Sequence, residues 1–344
     1  MGRRPATIDA ACRWPNYKPL VAAAVITCLT VLACAQTQKD EAPAPLASQQ
    51  PPPPWAYPIQ PPVKLPPDDG VPRRVPGSTA AFTLTQIRDL HVAPDWHPGD
   101  HPPMPGVVGR GRKPDTFACG YCHYPNGQGR PENSSLAGLP ARYIAQQMAD
   151  YKNGLRRSSE PNMRPPALMV ANAKSATEED VKISAEYFAS LKYKSWIRVV
   201  ETDAVPKTHV AGSMLVALPG EGTEPIGQRI IEVAEDVART TLRDPRSGFI
   251  AYVPVGSIKR GELLVTTGGG RTVPCGTCHG QDLKGFGDVP PLAGRSPSYA
   301  VRQLYDFQSG ARAGLLSPQM KESVAKLTVD DMVSIAAYTA SRTP

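Results

Sequence analysis

Aromatic residues and spare cysteines are both scarce in this chain. Phe, Trp and Tyr make up 6% of its 344 residues, and aromatic side chains are the ones that contribute most to protein cores. Three of the seven cysteines, Cys12, Cys28 and Cys34, lie in the first 34 residues, and the other four belong to two motifs. The remainder therefore has no thiols for structural disulfides, and a bound cofactor is the means left for completing its core.

The sequence also lacks a long hydrophobic run and a basic stripe. The apolar stretch from Leu20 to Ala33 is shorter than the roughly 20 residues that a transmembrane helix needs. It follows basic residues and therefore predicts a signal peptide over 1–33. The net charge is +7, of which +3 lies in residues 1–33 and +4 in the rest. Without interleaved basic and aromatic residues, we predict no nucleic-acid partner.

Three outcomes of export stay open. Ala33-Cys34-Ala35 fits cleavage after Ala35. Val31-Leu32-Ala33-Cys34 resembles a bacterial lipobox, which is cleaved before Cys34 and makes that residue the lipidation candidate and a membrane anchor. An uncleaved anchor is the third outcome. Each predicts a body in the periplasm, with or without a lipid anchor to a bacterial membrane.

Proline is concentrated in residues 34–78, with Pro51 to Pro54 as its longest run. Such runs favour extended polyproline segments. We predict a semi-rigid linker with no core of its own, which would hold the body away from the membrane if Cys34 is lipidated.

Two C-x-x-C-H motifs dominate the rest of the chain: Cys119-Gly120-Tyr121-Cys122-His123 and Cys275-Gly276-Thr277-Cys278-His279. This spacing indicates c-type haem attachment, in which both thiols bond one porphyrin and the His binds its iron. A four-Cys zinc site is the alternative, but it does not explain a His after both pairs. A thioredoxin-like pair needs a βαβ context that is missing here.

The chain repeats itself after the first motif. Residues 119–157 align without a gap on 275–313, which predicts two copies of one unit. Each copy predicts a helix (about 140–152 and 298–309), a Pro-rich loop, and a last helix opened by a capping box at Thr177 or Thr328. Matched pairs include Tyr143 with Tyr299, Gln147 with Gln303, Gly154 with Gly310 and Arg156 with Arg312.

The sixth iron ligands are expected in those loops. Met320 lies eight residues before Thr328, and Met169 lies eight before Thr177, so register favours these two. Met163 stays open as the alternative in the first copy. Three histidines, His91, His97 and His101, precede the first motif among prolines that break regular ligand spacing. They predict a surface loop, with a metal site or a distal haem ligand as alternatives.

Residues 195–256 separate the copies. Val199-Val200, Met214 to Leu218 and Phe249 to Val255 read as short extended segments, and Ile230 to Arg239 as a helix. Farther upstream, Phe82 to Leu90 predicts a short helix. The insert either connects the two domains or docks a partner.

Together the motifs, the Leu-Ala-Gly after each, and the closing helices resemble the di-haem class I cytochromes c, which are two fused mono-haem domains. The resemblance covers roughly 105–195 and 257–344. It implies a mainly α fold with cytochrome c domains at 79–194 and 257–344, joined by an irregular, partly extended insert. It further implies that a Pro carbonyl contacts the proximal His. The matching position is Pro290 in the second copy and Ser134 in the first. Two covalent haems would use Cys119, Cys122, His123, Cys275, Cys278 and His279, with iron ligands His123, Met169, His279 and Met320.

This resemblance implies an electron carrier between a redox protein donor and acceptor rather than an enzyme. Two alternatives stay open. One is a di-haem enzyme, such as a peroxidase or a thiosulfate-type oxidase, with one open iron. The other is the cytochrome subunit of a dehydrogenase complex, with the insert as its docking surface.

Overall fold

A computed structural model describes residues 50–344. The export signal, Cys12, Cys28, Cys34 and the start of the Pro-rich segment lie outside the described residues. Between residues 50 and 344 no helix has the length and apolarity to cross a membrane.

The helices are α1 (Leu84–Arg88), α2 (Gly106–Gly109), α3 (Cys119–His123), α4 (Ala141–Lys152), α5 (Arg164–Ser175), α6 (Glu178–Ser190), α7 (Val237–Thr241), α8 (Ser257–Thr267), α9 (Gly276–His279), α10 (Pro297–Ser309), α11 (Ser317–Val324) and α12 (Val329–Ser341). The strands are β1 (Ile197–Glu201), β2 (Ala204–Pro206), β3 (Thr208–Ala211), β4 (Met214–Ala217), β5 (Thr223–Pro225), β6 (Ile231–Ala234) and β7 (Phe249–Val253).

The first motif region is built from α3 to α6. Both predicted capping boxes are present: Thr177 accepts from the Asp180 N–H and Asp180 accepts from the Thr177 N–H, and Thr328 opens α12 in the same way. Leu139, Ile144 and Phe188 form part of the core between α4 and α6. The predicted fold class, mainly α with two motif-bearing regions, is confirmed.

The second motif region contains a helix that the repeat did not predict. Helix α8 crosses α12 so closely that a Cβ on Gly261 would lie 1.9 Å from the carbonyl oxygen of Ser334. Only glycine permits that approach. At the equivalent place before the first motif the chain forms α2, a single turn.

The loops predicted to carry the ligand methionines are largely helical. Met169 lies in α5 and Met320 in α11. Prolines occupy the first turn of both helices, where the missing N–H removes no helical hydrogen bond. Proline therefore marks helix starts here and not a loop.

The insert folds as short strands. Strand β7 pairs parallel with β1 and antiparallel with β6, and β2–β5 and β3–β4 form separate antiparallel pairs. The three predicted extended segments are confirmed. The helix predicted from Ile230 to Arg239 is wrong: β6 pairs with β7, and α7 begins only after Asp236, whose side chain accepts from the Arg239 N–H.

The Pro-rich segment was expected to have no core, but its described part packs into the second motif region. Ala56 and Tyr57 are 0% and 2% exposed and belong to the same core as Met332 and Leu327. The Tyr57 hydroxyl donates to Asp306 Oδ1 at 2.8 Å. An aromatic ring among the prolines gave this segment apolar area to bury.

The three upstream histidines each contact an aspartate on their own. His91 lies 3.5 Å from Asp89, His97 Nε2 lies 3.0 Å from Asp244, and His101 Nε2 lies 3.2 Å from Asp95. No group of three metal-ligating side chains occurs in the described part of the chain. The three histidines thus contact three different aspartates and do not meet at one site. The expected helix at Phe82 to Leu90 is present in shorter form as α1.

Candidate cofactor sites

The first motif forms one helical turn that buries its histidine. His123 is 7% exposed, and its Nδ1 lies 2.8 Å from the Ser134 carbonyl oxygen. That contact leaves Nε2 as the nitrogen free for iron. Burial lowers the pKa of His123 to about 4, so the imidazole is neutral at pH 7, the form that binds a metal.

The second motif repeats this arrangement. His279 is 7% exposed, and its Nδ1 lies 2.7 Å from the Pro290 carbonyl oxygen. Burial lowers its pKa as well. The carbonyl contact thus occurs at Pro290 and also at Ser134, because it uses only the backbone, which serine supplies as well as proline.

A cavity of about 800 Å³, including its opening to solvent, lies against His123. Its wall includes Met169 and Met148 as well as the apolar side chains of Leu139 and Ile144. The same space is thus lined by an imidazole and by thioether side chains, the two kinds of side chain that would hold a haem iron.

The candidate methionines fall into different places. Met163 is 1% exposed and packs in the core of the second motif region, away from the walls of the His123 cavity. Met320 is partly buried against that same core, as are Cys275 and Leu292. The structure brings Met169 to the cavity of His123 and Met320 to the cluster that contains Cys275, which supports Met169 over Met163 while the assignment stays a prediction.

The four motif thiols are not paired with one another in the structure. Burial raises the pKa of Cys119 and of Cys275 to about 11 each. Both are therefore neutral thiols at pH 7.

The repeat matches that had no assigned role meet between the two copies. Arg156 donates to Gln147 Oε1 (2.9 Å), the Tyr299 hydroxyl (2.7 Å) and Gln303 Oε1 (3.0 Å). Arg312 donates reciprocally to Gln303 Oε1 (2.9 Å), Gln147 Oε1 (2.7 Å) and the Tyr143 hydroxyl (3.5 Å). The contact is thus pseudo-symmetric, with equivalent residues of each copy crossing to the other.

This junction also joins the backbones. Arg157 N–H donates to the Ala311 carbonyl at 2.8 Å, and Ala313 N–H donates to the Leu155 carbonyl at 2.7 Å. The matched sequence pairs were the available signal for this interface. Sequence reasoning missed it because a repeat shows which positions are alike, not which of them touch.

No protein-family model matches the chain, but the chain is similar to several known proteins. Cytochrome c4 of Azotobacter vinelandii is 25% identical over 67% of this chain and 86% of its own length. The thiosulfate dehydrogenase electron acceptor of Stutzerimonas stutzeri is 38% identical over 22% of this chain, which spans only 36% of that relative. The solved structure of reduced recombinant cytochrome c4 from Pseudomonas stutzeri has 22% identity and a TM-score of 0.42, and the match covers 65% of this chain and 93% of that one.

The chain is similar to the di-haem cytochromes c over about two thirds of its length. As in those proteins, its cofactors are two covalently attached haem c groups. Each haem of this type supplies one iron that takes up and releases a single electron.

The buried charges of this chain fit such a cofactor. Arg156 and Arg302 line the His123 cavity and are 6% and 5% exposed. In the described residues neither makes an ion pair with a carboxylate; Arg302 donates instead to the backbone carbonyls of Ala56 and Pro131. The same lining holds two buried carboxylates, Asp306 and Glu132, of which Glu132 pairs with Arg130. Haem propionates would add negative charge beside the two guanidinium groups, and a buried charge is costly when it lacks a counter-ion.

Proposed function

We propose that this chain is an exported di-haem c-type cytochrome that carries single electrons between redox partners. The observation that carries the proposal is the His123 cavity, whose lining includes both His123 and Met169. His123 and Met169 would together hold a haem iron and leave it no open position for a substrate. Electron exchange needs no acid, base or nucleophile.

We assign the signal peptide to 1–33, the linker to 34–78, the cytochrome c domains to 79–194 and 257–344, and the connector to 195–256. Export would place the body in the periplasm, where haem is attached to c-type cytochromes in bacteria. Lipidation of Cys34 would add a membrane anchor to the end of the linker.

A dehydrogenase partner is the second function that an observation favours. One relative bears the description thiosulfate dehydrogenase electron acceptor, and a relative from Chlorobaculum tepidum, 31% identical over 23% of this chain and 66% of its own length, is a cytochrome subunit of sulfide dehydrogenase. We propose that the donor is a dehydrogenase of this general kind. Co-purification with a catalytic subunit from the native host would support it, and a carrier that purifies alone would count against a stable complex.

The visible spectrum of the full chain, expressed with a haem-attachment system, tests the carrier proposal. We expect two low-spin haems per chain, a far-red Met–iron band, and no reaction with CO. A haem that is high-spin or binds CO would favour the enzyme alternative, and absence of covalent haem would overturn the proposal.

Three methionine variants test the ligand assignment. Met169→Leu and Met320→Leu should each remove about half of the far-red band and open one iron to CO. Met163→Leu is the matched control, because its side chain packs in a core and a volume-conserving exchange there costs less than about 1.5 kcal/mol. Loss of the band in Met163→Leu instead of Met169→Leu would reassign the ligand.

A further inference from the structure

The two motifs differ sharply in their access to solvent. Tyr121, between the cysteines of the first motif, is buried at 6% exposure, whereas its repeat equivalent Thr277 is exposed. Arg130 is 7% exposed, and its equivalent Phe286 is 79% exposed. Cys278 is exposed, whereas Cys122 is only partly so. Equivalent positions therefore face protein in the first copy and solvent in the second.

Two parts of the chain cover the first motif. From upstream, Val108 and Ala93 pack so closely on Gly120 that a Cβ there would lie 2.9 Å from the Val108 carbonyl oxygen. From the insert, the Arg243 guanidinium lies 3.7 Å from the centroid of the Tyr121 ring and donates to the Tyr121 carbonyl at 2.9 Å.

The two parts of this cover are fastened to each other. His97 Nε2 lies 3.0 Å from Asp244 Oδ1, with side chains only 2% and 0% exposed. The Trp96 indole N–H donates to the Leu242 carbonyl at 2.8 Å. The cover is therefore a packed layer and not a loose loop.

The surface at the second motif is apolar and carries balanced charge. Val273 and Phe286 are 51% and 79% exposed. Four charged residues flank this stretch, and their charges cancel: Arg271, Asp282, Lys284 and Asp288. Arg271 also pairs with Asp331, and Asp288 pairs with Arg142. A protein that docks here would need an apolar face with little net charge, because these charges offset one another and favour neither sign in a partner.

We infer that this second-motif surface, around Thr277 and Phe286, is the port through which external redox proteins exchange electrons, and that the first haem domain exchanges electrons only by way of the second. The partner is a small one-electron redox protein whose redox centre lies under an apolar, weakly charged face. In each encounter the partner gains the one electron that this protein loses, or the reverse, and no bond or proton changes hands. The inference rests on the proposed carrier function.

Charge variants at matched positions test the port. Thr277 lies on it, and Thr241, an exposed residue of α7, lies on the cover of the first motif. The reduced di-haem protein is mixed with hexacyanoferrate(III), an anion. At low salt Thr277→Glu should slow oxidation and Thr277→Lys should accelerate it, each by roughly two- to fivefold.

The control pair has the same chemistry. Thr241→Glu and Thr241→Lys should change the rate by less than about 1.5-fold. Thr241 effects as large as the Thr277 effects would overturn the port, because the first domain would then exchange electrons through its cover. A chain that attaches no haem would overturn the carrier proposal itself, before any rate is measured. Failure of the port and failure of the carrier function are therefore distinguishable.

A footprint supplies a readout independent of rates. Hydrogen–deuterium exchange of the holoprotein is measured with and without a blue-copper protein of low net charge. Protection confined to residues 273–288 is expected. Protection at 237–244 without any at 273–288 would contradict the port.

Discussion

The two haem domains carry the same motif and the same proximal contact but close around it by different means. The second has a long helix, α8, pressed against α12 at Gly261. The first has only the short α2 at that place, and its motif is covered by Arg243 of the insert and by upstream residues such as Ala93. The same local geometry at the motif can thus be covered by different parts of the chain.

The insert contacts both the segment before the first motif and the second domain. Toward the first motif, Asp244 contacts His97 and accepts from Arg239 Nε at 2.7 Å. Toward the second domain, Glu232 in β6 accepts from the hydroxyls of Ser296 (2.8 Å) and Ser298 (2.6 Å) at the start of α10. These contacts explain how a long insert can be part of the packing rather than an appendage.

The largest effect is expected where the Pro-rich segment enters the second domain. Tyr57→Ala should lower the free energy of unfolding by about 3–5 kcal/mol, because a buried ring is lost. Tyr57→Phe keeps the ring but removes the bond to Asp306, and should cost about 1–3 kcal/mol. Urea titration of the holoprotein measures both, and an unchanged midpoint in Tyr57→Ala would show that the segment adds nothing to the core.

Loosening the cover of the first motif should leave the stability of the second domain unchanged. Asp244→Ala removes a fully buried carboxylate that fastens His97 and Arg239, and should cost about 2–3 kcal/mol. Hydrogen–deuterium exchange should rise over 119–130 and stay constant over 275–286. An equal rise in both stretches would mean that Asp244 stabilises the whole molecule rather than the cover.

The junction between the domains should influence reduction potential. Arg156→Met removes a buried positive charge beside the cofactor cavity, which favours the more positive, oxidised iron and lowers the potential. For a separation of about 10 Å between the guanidinium group and the iron, and an effective dielectric constant of about 20, the shift is roughly 1–2 kcal/mol, or about 40–80 mV. The control Arg142→Met removes the same charge from an 87% exposed side chain. Potentiometric titration should show almost no change in it; a rise or no shift in Arg156→Met would refute the charge argument.

The smallest effect is a pH dependence at the joint between insert and second domain. Burial raises the pKa of Glu232, so the folded state binds this proton more tightly than the unfolded state. The stabilisation is complete below the unfolded pKa of about 4.3 and is lost as pH rises.

Glu232→Gln should therefore gain stability relative to wild type as pH rises above the unfolded pKa of about 4.3. Glu235→Gln, at a 43% exposed side chain, should show no such gain. Parallel stability curves for wild type and Glu232→Gln would exclude the effect.

Local features were predictable from the sequence. The motifs, the capping boxes at Thr177 and Thr328, and the helix of each copy depend on residues close together in the chain, so spacing alone indicates them. The error at Ile230 to Arg239 has the opposite origin. That stretch contains both a strand and a helix start, and the pairing of β6 with the distant β7 decided between them.

By itself the sequence determined the two cofactor motifs and their repeat, and its register predicts Met320 and, over Met163, Met169 as ligands, because thiol, imidazole and thioether chemistry resides in single residues. Only the tertiary structure decided that Tyr57 enters the second core, that Arg156 and Arg312 cross between the copies, and that one motif is covered while the other is exposed. Those outcomes depend on contacts between residues more than 100 positions apart. The apolar area and hydrogen bonds gained there exist only once the chain has closed on itself.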